Sequence, residues 1–258
     1  MSDKAFRTCP ITRLERFGRE TVLWIQAPDI AAKAVAGQFV MVGLPRPRAN
    51  FLKRAISIHA IDGAEVALAV LTVGDVSVAL SRLTVGDPVE VIGPLGNGFD
   101  LDIQGRPVAM VAGGIGHAPF RFLAAALADQ TKDITLYAGG RDRAALSGLG
   151  WADKMGLKTV LASEDGSIGQ GGYVTDLLGD LSPATQVYVC GPLPMLRSVQ
   201  ALALARAIPC QLSLEGKMAC GVGVCLGCTC ARPDPTEAYA KVCTDGPVFW
   251  AEEVKLDG

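Results

Sequence analysis

The sequence has few of the residues on which hydrolytic enzymes and many metal centres depend. It contains only two histidines, His59 and His117, which lie far apart along the chain. It has neither the G-x-S-x-G segment of a serine hydrolase nor the H-E-x-x-H helix of a zinc peptidase. A histidine-based hydrolytic or metal site would require these two residues to meet, so we do not expect hydrolysis from this chain.

The chain also lacks long apolar runs and basic segments. Glycine, proline or charge interrupts each apolar stretch before the roughly 18 residues that a membrane-spanning helix needs, so no transmembrane segment is predicted. With 24 Lys and Arg against 26 Asp and Glu, the net charge is −2, and we expect no nucleic-acid partner. The N-terminal MSDKAF lacks a basic segment followed by an apolar core, and we expect a cytoplasmic protein.

Cysteine, by contrast, is abundant and unevenly distributed. Five of the eight cysteines fall between Cys220 and Cys243. A cytoplasmic location argues against a disulfide framework. The clustering therefore favours a metal or redox site in this part of the chain.

The pattern of apolar residues predicts a multi-domain α+β protein with three units. Residues 1–101 contain β-rich stretches separated by turns, such as AISIHAIDGAEVALAV, and indicate an antiparallel β-barrel or sandwich. Residues 102–214 alternate strand-like segments with the helix-like segments HAPFRFLAAALADQ, YVTDLLGDL and PMLRSVQALALARA, which indicates an α/β unit with a parallel sheet. Residues 215–258 form a small cysteine-rich tail.

Two corners lie at the carboxyl ends of predicted strands in the α/β unit. They hold Gly113, Gly114 and Gly116 in VAGGIGHAPF, and Cys190, Gly191 and Pro192 in VCGPLPML. Glycine at a strand-to-helix turn lets a pyrophosphate approach the N–H groups of the helix N-terminus. A tight turn explains the first corner equally well, and Cys190 alone is typical of a small buried apolar residue. Together the two corners favour a nucleotide site at this sheet edge.

A further candidate lies in the barrel segment KRAISIH. Arg54 has the pattern of a solvated surface charge, but an arginine here could also grip a phosphate through two hydrogen bonds. Strand alternation predicts Arg54 and Ile56 on one face and Ser57 on the other, where its hydroxyl is available to a ring nitrogen. After Gly74 a predicted helix could hold a phosphate oxygen through Ser77, although an ordinary N-cap explains this serine equally well.

The spacing of four cysteines in the tail is the most specific signal in the chain. Cys220, Cys225, Cys228 and Cys243 follow C-x4-C-x2-C-x14-C, with three glycines between the first three. This spacing is typical of plant-type 2Fe-2S ferredoxins, whereas zinc sites usually use paired C-x2-C units. Glycine supplies the backbone angles that a short loop needs to wrap a cluster. We predict a 2Fe-2S cluster over zinc or purely structural cysteines, and the spacing leaves out Cys230.

With these pieces in place, the sequence resembles the electron-transfer subunits of NAD-dependent (class 1B) dihydroorotate dehydrogenases, within the ferredoxin reductase superfamily. The resemblance rests on the segments RAIS, GPLGNGF, VAGGIGHAPF, SEDGSIGQGGYVTDLL, CGPLPM and MACGVGVCLGCTC…VCTDGPVF. It covers nearly the whole chain, and the cysteine run with the following CTDGPVF is its most specific part. It implies an FAD-binding barrel, an NAD(H)-binding α/β domain and a small 2Fe-2S domain.

The resemblance also implies roles for individual positions. Arg54 would pair with the FAD diphosphate, and Ser57 and Cys190 would be the catalytic pair. The residues implied to contact a cofactor are Arg54, Ala55, Ile56, Ser57, Gly74, Val76 and Ser77 on the flavin side, and Gly113, Gly114, Gly116, Cys190, Gly191 and Pro192 on the nicotinamide side. The sequence departs from its relatives at Val76 and Ser77, where glycine and threonine are common, and at Ile56, where the wider superfamily has tyrosine.

The function implied by the resemblance is electron transfer. FAD converts between the two-electron chemistry of nicotinamide and the one-electron chemistry of an iron–sulfur cluster. The chain shows no second barrel and no evident base for oxidising dihydroorotate, so that chemistry would belong to an FMN-containing catalytic subunit in a heterotetramer of pyrimidine biosynthesis. Two alternatives stay open: a reductase subunit linked to a hydrogenase, a ferredoxin or sulfide, and a zinc-stabilised nucleotide-binding regulator.

Overall fold

The first part of the chain folds into a closed antiparallel barrel. The computed structural model describes residues 5–45 and 52–256. The barrel strands are β1 (Ala5–Phe17), β2 (Glu20–Gln26), β3 (Phe39–Gly43), β4 (Arg54–Asp62), β5 (Glu65–Leu71) and β6 (Pro88–Leu95), arranged in the order β1-β2-β5-β4-β3-β6. Helix α1 (Pro28–Ala31) follows β2, and helix α2 (Asp75–Ser81) follows β5.

One barrel strand, β2, is buried on both of its faces. Leu23 and Ile25 belong to the barrel core, whereas Val22 and Trp24 pack outward against Ala118 of the following unit. A strand that is covered on both sides needs apolar residues at consecutive positions. This requirement explains the unbroken run in ETVLWIQ and fixes the face on which the barrel meets the next unit.

The remaining described residues form nine strands, three α-helices and three 3₁₀ turns. The strands are β7 (Val108–Gly113), β8 (Ile134–Gly140), β9 (Lys158–Ser163), β10 (Gln170–Gly171), β11 (Gln186–Cys190), β12 (Cys210–Ser213), β13 (Thr229–Cys230), β14 (Ala240–Lys241) and β15 (Val248–Trp250). The helices are α3 (Phe120–Leu127), α4 (Gly150–Lys154) and α5 (Leu193–Ala205), and the 3₁₀ turns span Gly114–His117, Arg143–Leu149 and Val174–Leu177. Seven strands make one sheet in the order β10-β9-β8-β7-β11-β12-β15.

The predicted barrel and parallel sheet are confirmed. In the seven-stranded sheet the neighbouring strands are parallel, except that β15 runs antiparallel to β12. The segment YVTDLLGDL forms only the 3₁₀ turn Val174–Leu177, because Gly172, at a φ of 123°, and Gly179 leave few residues between them for a helix. None of the helices in residues 5–45 and 52–256 is long and apolar enough to cross a membrane.

The cysteine-rich tail packs against both other units. Cys228 and Cys243 belong to one buried core that also contains Met41 and Leu95 of the barrel. Beyond Cys243, β15 adds to the edge of the parallel sheet beside β12. The tail therefore shares its core with the barrel and its last strand with the sheet, and the domain boundaries at residues 101 and 215 stay predictions.

Candidate functional site

The first candidate site is a cavity of about 410 Å³ where the barrel meets the sheet unit and the tail; we call it the barrel cavity. Strand β4 pairs with β5 only from Ile58 onward, so residues 54–57 diverge from β5 and leave a wedge between the two strands. The barrel side of the cavity is lined by Phe39, Arg54, Ala55, Ile56, Ser57, Ala69, Leu71, Val73, Gly74, Ser77 and Leu80.

Four consecutive residues of β4, Arg54 to Ser57, line this cavity. Strand alternation predicts Ser57 on the opposite face from Arg54 and Ile56, but the cavity borders the unpaired edge of the strand and so includes residues of both faces. The guanidinium of Arg54 is exposed and donates through Nη1 to the carbonyl of Leu52 at 2.7 Å. That bond uses one of its five N–H groups, which leaves a cation on the cavity wall for an anionic ligand.

The turn that begins α2 contributes Gly74 and Ser77 to the cavity. Ser77 Oγ accepts hydrogen bonds from the N–H groups of Val73 and Gly74, at 2.9 and 3.0 Å, and donates to the Gly74 carbonyl at 2.9 Å. The hydroxyl is therefore engaged within the turn and shapes this part of the wall. Val76 is buried in the barrel core, so a ligand would meet only its backbone.

The other wall of the barrel cavity combines the sheet unit with the tail. It is lined by Ile115, Ala118, Pro119, Cys190, Ser213, Leu214, Glu215, Gly216, Met218 and Pro247. Burial raises the pKa of the Cys190 thiol to about 12, and Glu215 adds to the shift. At neutral pH this thiol is protonated, so it serves as a weak donor and a packing group rather than as a nucleophile. Glu215 is accessible to solvent, yet the surrounding protein removes enough water to raise the pKa of its carboxyl.

The second candidate site is a cleft of about 550 Å³ at the carboxyl edge of the parallel sheet; we call it the sheet-edge cleft. Open α/β sheets bind ligands in this position. The lining residues are Gly113, Gly114, Gly139, Gly140, Arg141, Ala145, Glu164, Gly172, Tyr173, Val174, Thr175, Pro192, Pro194, Met195 and Ser198. Arg141 and Glu164 bring opposite charges to the cleft, and glycines leave its backbone open to a ligand.

The two corners that the sequence predicted separately are in direct contact. A Cβ on Gly113 would lie 2.6 Å from Pro192 Cδ, and a Cβ on Gly116 would lie 2.1 Å from the carbonyl oxygen of Cys190. Only glycine fits at these points, because real Cβ atoms do not approach so closely. Cys190 lines the barrel cavity and Pro192 lines the sheet-edge cleft, whereas Gly116 and Gly191 contribute to the corner through packing.

Four cysteines of the tail come together in two pairs. Besides burial, the neighbouring thiols affect one another: Cys225 lowers the pKa of Cys220, and Cys228 raises the pKa of Cys243. The N–H groups of Val222 and Cys225 both donate to Cys220 Sγ at 3.4 Å. Although burial acts in the opposite direction, these donors lower the pKa of Cys220 to about 6, which favours a thiolate.

This arrangement fits a thiolate-bound cluster. Gly221 and Gly223 take φ values of 69° and 84°, as the predicted loop requires, whereas the next positive φ in the loop, 56°, belongs to Leu226 and not to Gly227. Backbone N–H groups that point at a cysteine sulfur are one means of tuning an iron–sulfur site. Among the described residues no three ligand side chains stand at metal-binding distance, so the ligand set rests on the cysteine spacing and on the N–H donors to Cys220. Cys230 pairs with Ala240 in the β13–β14 hairpin, and its exclusion as a ligand stays a prediction.

Several lining residues were missed by the sequence analysis. Glu215, Ser213 and Met218 lie just beyond or at the end of β12, whose carboxyl end meets the same sheet edge as β11. That topology could have indicated them, because ligands collect at this edge. Ile115 and Pro119 lie within the VAGGIGHAPF segment, but only its glycines were predicted, because it is the docking of the barrel that brings these two side chains to the cavity.

Comparison with known proteins identifies related domains and full-length relatives. Residues 215–255 match the family model of the iron-sulfur cluster binding domain of dihydroorotate dehydrogenase B, and residues 110–201 match the oxidoreductase NAD-binding domain. The chain is 39% identical over 224 residues to the dihydroorotate dehydrogenase B (NAD(+)) electron transfer subunit of Caldanaerobacter subterraneus subsp. tengcongensis, covering 84% of this chain and 86% of that protein.

Another relative and one solved structure extend the comparison. The protein of the same name from Desulforamulus reducens is 39% identical over 229 residues, which cover 86% of this chain and 87% of the relative. The structure of an NADH-dependent reduced ferredoxin-NADP oxidoreductase, described in connection with flavin-based electron bifurcation, has a TM-score of 0.82 at 24% identity, covering 96% of this chain and 90% of that chain. The likeness to this solved structure shows a shared fold.

Proposed function

This chain belongs to the family of dihydroorotate dehydrogenase B electron transfer subunits, and on that premise we propose that it passes electrons between NAD(H) and an FMN-containing dihydroorotate dehydrogenase catalytic subunit. The observation that carries the proposal is the lining of the barrel cavity, to which β4, the Cys190 corner and the tail residues Gly216 and Met218 all contribute. A cofactor in this cavity would contact all three units. We place the complex in the cytoplasm, as a heterotetramer that serves pyrimidine biosynthesis.

The barrel cavity suits FAD. When bound, FAD exchanges two electrons with nicotinamide and single electrons with an iron–sulfur cluster. Arg54 would pair with its diphosphate, beside the turn at Gly74, and Ser57 would lie by the ring. Cys190 and Glu215 would border the ring from the other wall, where the protonated thiol adds a weak donor.

The sheet-edge cleft suits the nicotinamide nucleotide. Gly113 and Gly114 leave the backbone accessible to a diphosphate at the carboxyl end of β7. Arg141 and Glu164 both line the cleft. An acidic residue favours a ribose hydroxyl and an arginine accommodates a 2′-phosphate, so these two side chains do not separate the two nucleotides. We favour NAD(H) over NADP(H) because the relatives carry NAD(+) in their names.

The tail suits a 2Fe-2S cluster held by Cys220, Cys225, Cys228 and Cys243. The paired thiols and the N–H donors to Cys220 support this ligand set. Packing of the tail supports a short path from the barrel cavity, because Gly221 lies against Met41 of the barrel and Met218, just before the cysteine loop, lines the cavity.

An anaerobic visible spectrum of the purified chain, combined with iron, zinc and FAD analysis, tests this function. We expect a flavin and iron–sulfur spectrum that bleaches on addition of NADH and bleaches much less with NADPH. Zinc without flavin would overturn the proposal in favour of a nucleotide-binding regulator. A second step mixes the reduced chain with a dihydroorotate-oxidising subunit; failure of the two to form a complex would favour a reductase that serves a hydrogenase, a ferredoxin or sulfide.

Replacing Arg54 with alanine is expected to weaken FAD binding by about 10- to 150-fold, since a hydrogen bond to a charged group contributes roughly 1.5–3 kcal/mol. Folding should be little affected, because the guanidinium is exposed and its hydrogen bond in this structure goes to the Leu52 carbonyl. The measurement is the FAD dissociation constant of the reconstituted protein. Arg82→Ala, an exposed arginine outside the cavity lining, is the matched control, and equal FAD affinity in the two variants would contradict the assignment.

A further inference from the structure

Four large polar or aromatic side chains are buried together where the barrel meets the sheet unit. Glu20 on β2, His59 on β4, His117 in the 3₁₀ turn after β7 and Trp151 on α4 are each at most 5% exposed. Acidic residues are almost never buried this deeply without a partner. The hydrogen bonds among them therefore decide what the group does.

The bonds fix the proton positions on His117. Trp151 Nε1 lies 3.3 Å from His117 Nδ1, and because an indole N–H can only donate, Nδ1 must carry a lone pair. The imidazole proton is therefore on Nε2, which lies 3.0 Å from Glu20 Oε2 and donates to it. His117 is thus a neutral ring held between a donor from the sheet unit and a carboxyl from the barrel.

His59 forms a second attachment beside the first. Its Nδ1 lies 2.7 Å from the carbonyl oxygen of Ala118, so Nδ1 carries the proton and donates it. Burial lowers the pKa of His59 to about 3, so this ring is also neutral at physiological pH. Two barrel residues, Glu20 and His59, therefore hold two consecutive residues of the sheet unit.

The residues that they hold belong to the segment that separates the two cavities. Gly113 and Gly114 line the sheet-edge cleft, whereas Ile115, Ala118 and Pro119 line the barrel cavity. If these cavities bind the nicotinamide nucleotide and FAD, as the proposed function has it, the position of this segment sets how the two rings meet. Errors of about 1 Å in such an alignment can slow a reaction by roughly 100-fold.

We propose that Glu20 and His117 are positioning residues for hydride transfer: the carboxyl of Glu20 holds the Nε2–H form of His117 and so fastens the segment between the two cavities to the barrel. The inference rests on the proposed function. It adds a role for two residues that do not line the barrel cavity.

A purely stabilising role explains this carboxyl poorly. Glu20 Oε1 is buried without a hydrogen-bond partner among the described residues, which costs free energy that an apolar side chain would not. Room for the carboxyl is also specifically kept, because a Cβ on Gly148 would lie 2.1 Å from Glu20 Oε2. A residue that is costly to accommodate is better explained by the bond it makes to His117.

The first test measures the protonation of the two imidazole rings directly and needs no amino-acid substitution. The chain has two histidines, so ¹⁵N-histidine labelling of the full-length holoprotein gives two imidazole ring systems to assign. At pH 7 we expect one neutral ring protonated on Nε2 (His117) and one neutral ring protonated on Nδ1 (His59). A His117 ring that is charged, or protonated on Nδ1, would overturn the proposal.

The second test separates positioning from stability. In Glu20→Leu we expect the rate of flavin reduction by saturating NADH, measured per bound FAD by anaerobic rapid mixing, to fall by at least about tenfold. The dissociation constant for NADH should stay within about twofold of the original. Glu20→Gln keeps an acceptor for His117 and should restore most of the rate. Trp151→Phe, which removes the hydrogen bond to His117 Nδ1, provides a second variant if Glu20→Leu does not fold.

The matched control is Gln200→Leu on α5. Gln200 is a buried polar residue that donates to the carbonyls of Ala251 and Val254 at 2.7 and 2.8 Å, away from both cavities. The Gln200→Leu variant should lower thermal stability, as Glu20→Leu does, but should leave the rate of flavin reduction by NADH unchanged. Equal rates per bound FAD in Glu20→Leu and Gln200→Leu would overturn the positioning role. If NADH fails to reduce the flavin of the unsubstituted protein, the proposed function is wrong, and the ring measurement still reports on the geometry.

Discussion

Replacing Cys225 with serine is expected to remove the cluster and stop electron transfer out of the flavin. Serine oxygen is a poor substitute for a thiolate in an iron–sulfur site, and even outer-shell changes commonly reduce metal affinity by about 10- to 100-fold. Cys225 is exposed, so serine should cost the fold little. The purified variant should therefore lose its iron and iron–sulfur absorption but keep FAD, and NADH should still bleach the flavin.

Cys230→Ser is the matched control for this prediction. Cys230 lies within the same stretch but on β13, where it pairs with Ala240, and burial raises the pKa of its thiol. This variant should keep its full iron content and should pass electrons from NADH to an artificial one-electron acceptor at the original rate. A Cys225→Ser protein that retains its iron, or a Cys230→Ser protein that loses it, would contradict the proposed choice of cluster ligands.

The local patterns in the sequence predicted those parts of the fold that depend on neighbouring residues. The alternation of strands and helices gave the parallel sheet, and the β-rich stretches of residues 1–101 gave the barrel. Strand β1 was not predicted, because Arg7, Arg13 and Arg16 interrupt its apolar pattern. These arginines reach outward, as in the bonds from Arg13 to Asp62 and from Arg16 to the Leu83 carbonyl, so a strand at the barrel surface carries charge that local patterning does not recognise as β.

The candidate site also has features that local sequence predicts and features that depend on contacts between distant residues. The cysteine spacing and the glycine corners are local, because each motif contains most of what its turn requires. The divergence of β4 from β5, which brings Arg54 to Ser57 to one cavity, depends on pairing between strands. The attachment of His117 to Glu20 joins residues 97 positions apart. Local sequence patterns carry no signal for such distant contacts, and the two histidines gave no indication that they lie side by side.

Gly116→Ala should disrupt the corner at which both cavities meet. The added Cβ would lie 2.1 Å from the carbonyl oxygen of Cys190 and 2.6 Å from its carbonyl carbon. Both contacts are with backbone, which cannot move aside as a flexible side chain would, and overpacking of this kind costs about 1–3 kcal/mol or more. For a chain of this size the cost corresponds to a fall in Tm of roughly 2–12 °C.

The functional effect of Gly116→Ala should exceed the stability effect, because any relief of the clash separates the Gly114–His117 turn from β11. That movement displaces Cys190 from the barrel cavity and Pro192 from the sheet-edge cleft together. We expect NADH to reduce the flavin at least about 100-fold more slowly, as expected for a misalignment near 1 Å.

Gly150→Ala is a control that should change stability in the opposite direction. Gly150 begins α4 with a φ of −55°, and a Cβ there meets nothing within 4 Å. Alanine in such a helical position should raise stability by about 0.4–1 kcal/mol, chiefly by restricting the unfolded chain. Anaerobic rapid mixing with NADH and a thermal melt on both variants check the pair. If Gly116→Ala reduces its flavin as fast as Gly150→Ala does, contact between the two corners is not what aligns the cofactor sites.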